Sequence, residues 1–301
     1  MIGDFLADRK ASVKIGKTKT VNFEIGRGVP QGTKLGPILY NIYTADIPTG
    51  TDSTSLIQYA DDTAVFSQHV CPRLAVRAIK VYMTDILTYF NKWDISINES
   101  KTELITFRPK AEHCWKNMRK KAKNISLKIG DNTIRPSGVV KYLGVHFDEE
   151  LQFTEHKRKA VRRAQIASGK LRPVTSRLSL DIRIKELLYK QVIRPVLSYG
   201  APAWIPGERE GLSIIAVYER KIVRYITGRY RKAHNSHYYS NSELYGFTKI
   251  EPLHLYLKKL EGNFFTRAVN HPNSLISGTG TFISGYQDYK TSKELAVIWS
   301  S

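Results

Sequence analysis

Leu56-Ile57-Gln58-Tyr59-Ala60-Asp61-Asp62-Thr63-Ala64-Val65-Phe66 is the stretch that decides how this chain is read. Two short apolar runs, Leu56–Ile57 and Ala64–Phe66, flank an acidic pair. Apolar runs of strand length broken by turn-forming acids predict a β-hairpin with carboxylates at its tip. Along a regular strand successive side chains point to opposite faces, so neighbouring aspartates in mid-strand cannot share one ion. A turn breaks that alternation, and one or both of Asp61 and Asp62 can then face a cation. An Asp-Asp pair taken alone more often just solvates a turn. Its surroundings decide between the two.

Upstream, Val13, Ile15, Val21, Phe23 and Ile25 alternate with polar residues around Gly16-Lys17-Thr18, which predicts another hairpin. Gly26 to Thr33 then forms a glycine-rich loop holding Gly28, Pro30, Gln31 and Gly32. A helix should follow, with Leu35, Ile38, Leu39, Ile42 and Tyr43 at helical spacing and Pro37 tolerated in the first turn. A Gly-x-x-x-Gly loop feeding a helix can receive phosphate or sugar on its backbone N–H groups. Most such loops only turn the chain, and the GKT or GKS ending of a P-loop is absent.

Downstream of the acidic pair, the apolar positions Leu74, Ala78, Ile79, Tyr82, Met83, Ile86, Leu87, Phe90 and Trp93 predict a long amphipathic helix packed on a sheet. A turn containing Asn98 and Lys101 leads into a strand over residues 103–107. The basic segment that follows, from Arg108 to Lys123, reads equally as a nucleic-acid contact, a nuclear address or a solvated loop. Two short strands around Gly130-Asp131-Asn132 precede a further strand over 139–145, which contains Tyr142, Leu143 and Gly144. Beyond Leu151 the pattern turns helical, with expected helices at 156–171, 181–197, 212–227 and 253–270 and a loose Gly/Ser/Thr-rich end.

Lysine and arginine total 47 against 27 acidic residues, a net charge of +20. That excess favours a polyanionic partner. No window approaches the 18 or so uninterrupted apolar residues of a membrane span, and the acidic N-terminus does not read as a signal peptide. Cys71 and Cys114 stand without CxxC or Cys/His zinc spacing. Together these predict an intracellular protein, nuclear or cytoplasmic, not secreted and with no membrane partner.

Five segments stand in a fixed order: GVPQGTKLGP, LYNIYTADIP, YADD, WDISINESKT and KYLGV. In that order they resemble the reverse transcriptases of non-LTR retrotransposons, most closely the jockey-like group. The later IRPVLSYGAPAW and HPNSLISG extend the resemblance from about Phe5 to Ser277. It implies an α+β fold: a partial right-hand polymerase palm, an antiparallel sheet with helices, over residues 1–150. A mostly helical thumb over 151–235 and a C-terminal extension over 236–301 would follow.

The same resemblance implies RNA-directed DNA polymerisation on an RNA template and DNA primer with dNTP. Asp61 and Asp62 would be the metal-binding catalytic pair for Mg²⁺, and Lys101 a catalytic donor to the leaving pyrophosphate. Gly28, Pro30, Gln31, Gly32 and Asn98 would contact nucleotide and template; Tyr142, Leu143 and Gly144 would grip the primer end. The family supplies another catalytic aspartate from an earlier palm strand, in a motif like FLDVxxAFDxV. This sequence begins past that motif, so the chain is expected to be a C-terminal portion and inactive alone. Asp4 and Asp8 match the FLxxR segment before the first hairpin and are not expected to replace it.

Overall fold

The computed structural model describes residues 2–69, 71–107, 125–177, 179–205, 213–229, 239–274 and 276–277, together with the backbone of 294–300. The basic segment after Phe107, with His113 and Cys114, lies outside the described residues. The first elements are α1 (Ile2–Leu6) and four two-residue strands, β1 (Lys10–Ala11), β2 (Lys14–Ile15), β3 (Thr18–Lys19) and β4 (Phe23–Glu24). β2 pairs with β3 and β1 with β4, all antiparallel, which is the expected hairpin in two short ribbons. Helix α2 (Leu35–Tyr43) follows the glycine loop as expected. Its Leu35, Ile38 and Ile42 are solvent-exposed, as are Ile15 and Val21 of the ribbons.

The central sheet holds β5 (Thr54–Tyr59), β6 (Asp62–His69), β7 (Glu103–Phe107) and the last strand, β12 (Glu294–Ser300), in the order β5-β6-β12-β7. β12 is antiparallel to both β6 and β7, so those two run parallel to each other with one strand between them. They are joined by α3 (Pro72–Lys92), which buries Ala75, Val76, Ile79, Tyr82, Met83, Ile86, Tyr89 and Phe90. The buried stripe is therefore rotated from the expected one. Leu74 is exposed, while Tyr89, one turn from Ile86 and two from Tyr82, is inside.

That inward tyrosine has a polar reason. Its hydroxyl donates to Asp46 Oδ1 at 2.6 Å, and Tyr82 donates to the Pro48 carbonyl, so α3 holds the connection between α2 and β5. Burial and the adjacent Asp46 push the Tyr89 hydroxyl well above its ordinary pKa. Strands β8 (Leu127–Ile129) and β9 (Asn132–Ile134) form a hairpin whose Leu127, Ile129 and Ile134 join the α3 core.

Residues 139–145 were expected as one strand and are instead the start of a hairpin. β10 (Val139–Tyr142) pairs with β11 (Val145–Asp148) around a Leu143-Gly144 turn. Both turn residues have positive φ, 45° and 83°, which no regular strand allows. β11 covers the sheet face opposite α3, where Phe107 and Phe147 meet edge-on at 6.3 Å.

The helical part comprises α4 (Thr154–Thr175), α5 (Ile182–Leu188), a π-helical turn Tyr189–Ile193, α6 (Arg194–Ser198), α7 (Ala201–Trp204), α8 (Ser213–Thr227), α9 (Asn241–Gly246) and α10 (Leu253–Val269). The helix expected over 181–197 carries Leu187 and Val192 outward, while Glu186, Tyr189, Ile193 and Leu197 are buried. The buried stripe is displaced from the expected one already at Glu186 and Leu187, ahead of the π turn, because Glu186 turns inward to accept from the Lys249 N–H at 3.1 Å. Lys157 is also buried, and its Nζ donates to the Gln152 carbonyl at 2.8 Å.

The core of this part closes on Glu219, which is 1% exposed. Its carboxylate accepts from Tyr189 Oη at 2.8 Å, Tyr245 Oη at 2.6 Å and the Leu253 N–H at 3.0 Å. One acid thus joins α8 to the π turn, α9 and the start of α10. Burial, then the charge and hydrogen bonding of Glu219, keep both tyrosines neutral far above ordinary pH.

Where the sheet meets the helices, His146 on β11 faces buried His156 on α4, ring centroids 6.1 Å apart, and Trp204 lies 5.6 Å beyond. Burial first, then the charges of His146 and Arg163, lower the His156 pKa to about 4, and burial also lowers His146.

Two measurements test these junctions. Glu219→Gln keeps the shape but turns one acceptor oxygen into a donor facing Tyr245 and the Leu253 N–H. Urea unfolding should show a loss of about 1–3 kcal/mol, the cost of a buried unsatisfied partner. For the histidines, a folded-state pKa below the unfolded value means that the folded state binds fewer protons. Stability should be flat above about pH 6.5 and fall as pH drops towards 4. His156→Gln, whose amide oxygen can still accept the His146 N–H, should flatten that part of the urea-midpoint profile; an unchanged slope would remove the histidine from the account.

Candidate active site

Tyr59 pairs with Asp62 as the last rung of the β5–β6 ladder, leaving Ala60 and Asp61 as a two-residue loop. Closing so short a loop needs a left-handed backbone, and Ala60 supplies it with φ 53°. Asp61 therefore sits exposed at the tip, and half-buried Asp62 opens β6. Strand alternation places Asp62 on the same face as Ala64, opposite Thr63 and Val65, and Val65 belongs to the α3 core. Asp62 therefore looks towards the face that β10 and β11 cover.

Partial burial, then the negative charge of Asp61, raise the Asp62 carboxyl above the usual carboxylate range, while Lys141 and Lys101 draw it back down. Tyr142 has its hydroxyl raised by burial and by the charge of Asp62. Tyr40 of α2 has its own raised by burial and by Asp61, with Gln58 opposing through a hydrogen bond. Asp61, Asp62, Lys101 and Tyr142 are thus brought together from three places in the chain. Two neighbours were missed in the sequence, Lys141 and Tyr40. Lys141 stands next to Tyr142 in KYLGV and Tyr40 within LYNIY, so both lay inside segments already singled out.

The remaining residues expected in the site take supporting positions. Asn98 Oδ1 accepts from Ser100 Oγ at 2.7 Å and from the Lys101 N–H at 3.3 Å, which sets the turn that presents Lys101. Leu143 and Gly144 form the β10–β11 turn, where the Leu143 carbonyl accepts from Tyr199 Oη at 2.9 Å. A Cβ on Gly144 would come within 2.9 Å of the Tyr199 ring, so the close approach requires glycine there.

Gly28 and Gly32 both have φ 78° and border open space, with Gln31 exposed between them. Pro30 directs its carbonyl at Thr33 Oγ1, which donates to it at 2.8 Å and accepts from the Gly36 N–H at 3.1 Å, locking the loop onto the start of α2. Arg27 forms an ion pair with Asp94 just past α3. Residues 28–32 connect to the acidic pair through α2, whose Tyr40 lies in the field of Asp61. No cluster of three or more His, Cys, Asp or Glu side chains suited to one metal occurs among the described residues. No described helix is long and apolar enough to cross a membrane.

Comparison with known families places these features in context. Residues 2–147 match the family model described as reverse transcriptase (RNA-dependent DNA polymerase). The chain is 29% identical over 291 residues to the RNA-directed DNA polymerase from mobile element jockey of Drosophila funebris, covering 93% of this chain and 30% of that protein. The Drosophila melanogaster jockey polymerase is 26% identical over the same span and shares. A probable RNA-directed DNA polymerase from transposon X-element of Drosophila melanogaster is 25% identical, over 92% of this chain and 29% of that protein. The chain spans about a third of the length of these curated relatives. No solved structure matches. Residues 2–147 thus match the reverse transcriptase family model, and the chain is similar over 93% of its length to jockey-like reverse transcriptases.

Proposed function

We propose that this chain is the YADD-bearing palm portion and helical thumb of an RNA-directed DNA polymerase, inactive until a further carboxylate joins the site. The observation that carries the reading is the shared electrostatic neighbourhood of Asp61, Asp62, Lys101, Lys141 and Tyr142 around the acidic turn. Two like charges on one turn are an arrangement that a divalent cation relieves, and Mg²⁺ suits it because it accepts one or two carboxylates and keeps its other positions for phosphate and water. Bound there, it would polarise phosphate and stabilise the attacking and departing oxygens of phosphoryl transfer.

The chain's own residues do the positioning. Asp61 and Asp62 offer oxygens from a turn fixed by the β5–β6 ladder. Lys101 and Lys141 place positive charge beside them for a pyrophosphate leaving group. The open backbone at Gly28 and Gly32, with Pro30 and Gln31, receives the incoming dNTP, and Asn98 holds the Lys101 turn. Tyr142, Leu143 and Gly144 form a ledge for the primer end, braced from beneath by Tyr199.

Duplex binding belongs to α4. Its exposed cations Arg158, Lys159, Arg162, Arg163, Lys170 and Arg172 suit the phosphates of an RNA template paired with a DNA primer. The same face supports a second reading, a non-catalytic nucleic-acid-binding remnant, and catalysis separates the two.

A templated primer-extension assay with Mg²⁺ and the chain alone should show no dNTP incorporation above background. A two-metal site needs carboxylates from more than one element, and losing even one preorganised electrostatic donor costs about 10²–10³ in rate. Adding a segment that bears the missing aspartate, fused or as a separate chain, should produce incorporation that Asp61→Ala abolishes. Incorporation that survives Asp61→Ala would remove Asp61 from the site, and none with any such segment would leave only the binding reading. Binding to RNA–DNA duplex should be insensitive to sequence, and should weaken by about 10³–10⁵ between 50 and 200 mM salt if six or more phosphates are neutralised. Charge reversal at Arg162 and Arg163 should lower both the affinity and the salt slope.

A further inference from the structure

The two ribbons at the start of the chain carry a charge conflict that their own structure leaves unresolved. No residue of β1, β2, β3 or β4 is buried, and residues 13–24 are solvent-exposed throughout. Register sets Lys10 opposite Glu24, an attractive pair, but sets Lys14 directly opposite Lys19. Like charges directly across an antiparallel pair destabilise it. Two-residue strands have little to offset that repulsion, since an isolated two-stranded hairpin is marginal even without it. Lys17 adds a further charge in the Gly16-Lys17 loop, which Gly16 closes with φ 61°. From Arg9 to Lys34 the single acid is Glu24, already opposite Lys10.

The lysine ribbon is nevertheless held in shape. The Val13 N–H donates to Thr20 Oγ1 at 2.9 Å and the Thr20 N–H to the Val13 carbonyl at 2.9 Å, which carries the β2–β3 pairing one rung further. Cross-strand partners share a face, so Lys14 and Lys19 project together. Val21, two residues beyond Lys19, is 88% exposed. Lysines along an edge keep a strand from pairing with other chains. Here they stand side by side on one face, next to an uncovered valine, which suits a partner with anionic and apolar groups close together.

We propose that the β2–β3 ribbon is a docking element for B-form DNA, lying in the major groove with its Lys14–Lys19 face towards the base edges and Lys17 at a phosphate. A two-stranded ribbon fits that groove, where guanine O6 and N7 accept from lysine and the thymine methyl offers an apolar contact. The major groove of an A-form helix is too deep and narrow to be read this way. The ribbon therefore selects a different duplex from the RNA–DNA hybrid assigned to α4. It rests on register, charge and exposure and stands without the polymerase reading. Base acceptors and phosphates relieve the Lys14–Lys19 repulsion, so binding and ribbon order reinforce each other.

Fluorescence anisotropy on the full chain tests this with a blunt DNA duplex and an RNA–DNA hybrid of the same sequence. Lys14→Gln/Lys17→Gln/Lys19→Gln should lower the ratio of DNA to hybrid affinity about tenfold or more, and lower the slope of log DNA affinity against log salt by about 2–3. Its urea midpoint should be unchanged or raised, because the substitutions remove a repulsion. An unchanged ratio, or equal losses on both duplexes, would overturn the proposal.

A second comparison needs no variant. A DNA duplex carrying glucosylated 5-hydroxymethylcytosine, whose sugars fill the major groove, should bind the unaltered chain about tenfold more weakly than the plain duplex. The triple variant should not distinguish the two. Equal affinity of the unaltered chain for plain and glucosylated DNA would overturn the proposal, whatever primer extension shows.

Discussion

The fold around the acidic turn depends on a strand from the far end of the chain. β6 presents Asp62 and β7 follows the Lys101 turn, and both reach their hydrogen-bonding limit only through β12. An antiparallel ladder on each side fixes the relative height of the two strands, and hence the separation of Asp62 from Lys101. The electrostatics of the site are therefore a property of the sheet register. Helix α3 enforces the spacing from above, because its packed face crosses both β6 and β12.

A second constraint couples this sheet to the helices. The β10–β11 turn is pressed against Tyr199, and at Gly200, with φ 64°, a Cβ would come within 2.8 Å of a Val145 methyl. The Trp204 indole N–H closes the same corner by donating to the Tyr199 carbonyl at 2.9 Å. His146 and His156 fill the space between, neutral because the corner is dry and surrounded by cations. Tyr142 thus touches the field of Asp62 on one side and continues into a turn held by the helical part on the other. A shift of α4 and α6 relative to the sheet is felt at the site through two residues of turn.

The parts legible in the sequence are those whose signal is local. The YADD hairpin, the long helix, the glycine loop before α2 and the strand at 103–107 were readable because alternation, helical spacing and turn residues each act within a few positions. The misread parts involve distant partners. Tyr89 faces inward for Asp46, and Leu74 points outward because α3 settles on a face chosen by the sheet. The β10–β11 hairpin was missed because Leu143 adopts a left-handed turn without being a turn-forming residue. β12 was the largest omission. Its apolar run Leu295 to Trp299 was a fair strand signal, overshadowed by the Gly/Ser/Thr-rich sequence before it. The proximity of Lys141 and Tyr40 to the acidic pair is tertiary and had no sequence signal beyond membership in a motif.

The π turn at Tyr189–Ile193 has a consequence for how this chain tolerates length changes. It is a one-residue insertion already absorbed into a helix, so removing a residue there would restore ordinary α-helix locally. The repair would not be neutral. Everything after it would rotate by about 100° about the helix axis and retreat by about 1.5 Å. Tyr199 would swing away from the Leu143 carbonyl, and Arg194 would leave the face of Tyr256, over which its guanidinium sits at 4.0 Å. The wide turn acts as a phase adjuster: a locally imperfect helix lets one continuous rod satisfy Glu219 at its middle and the β10–β11 turn at its end.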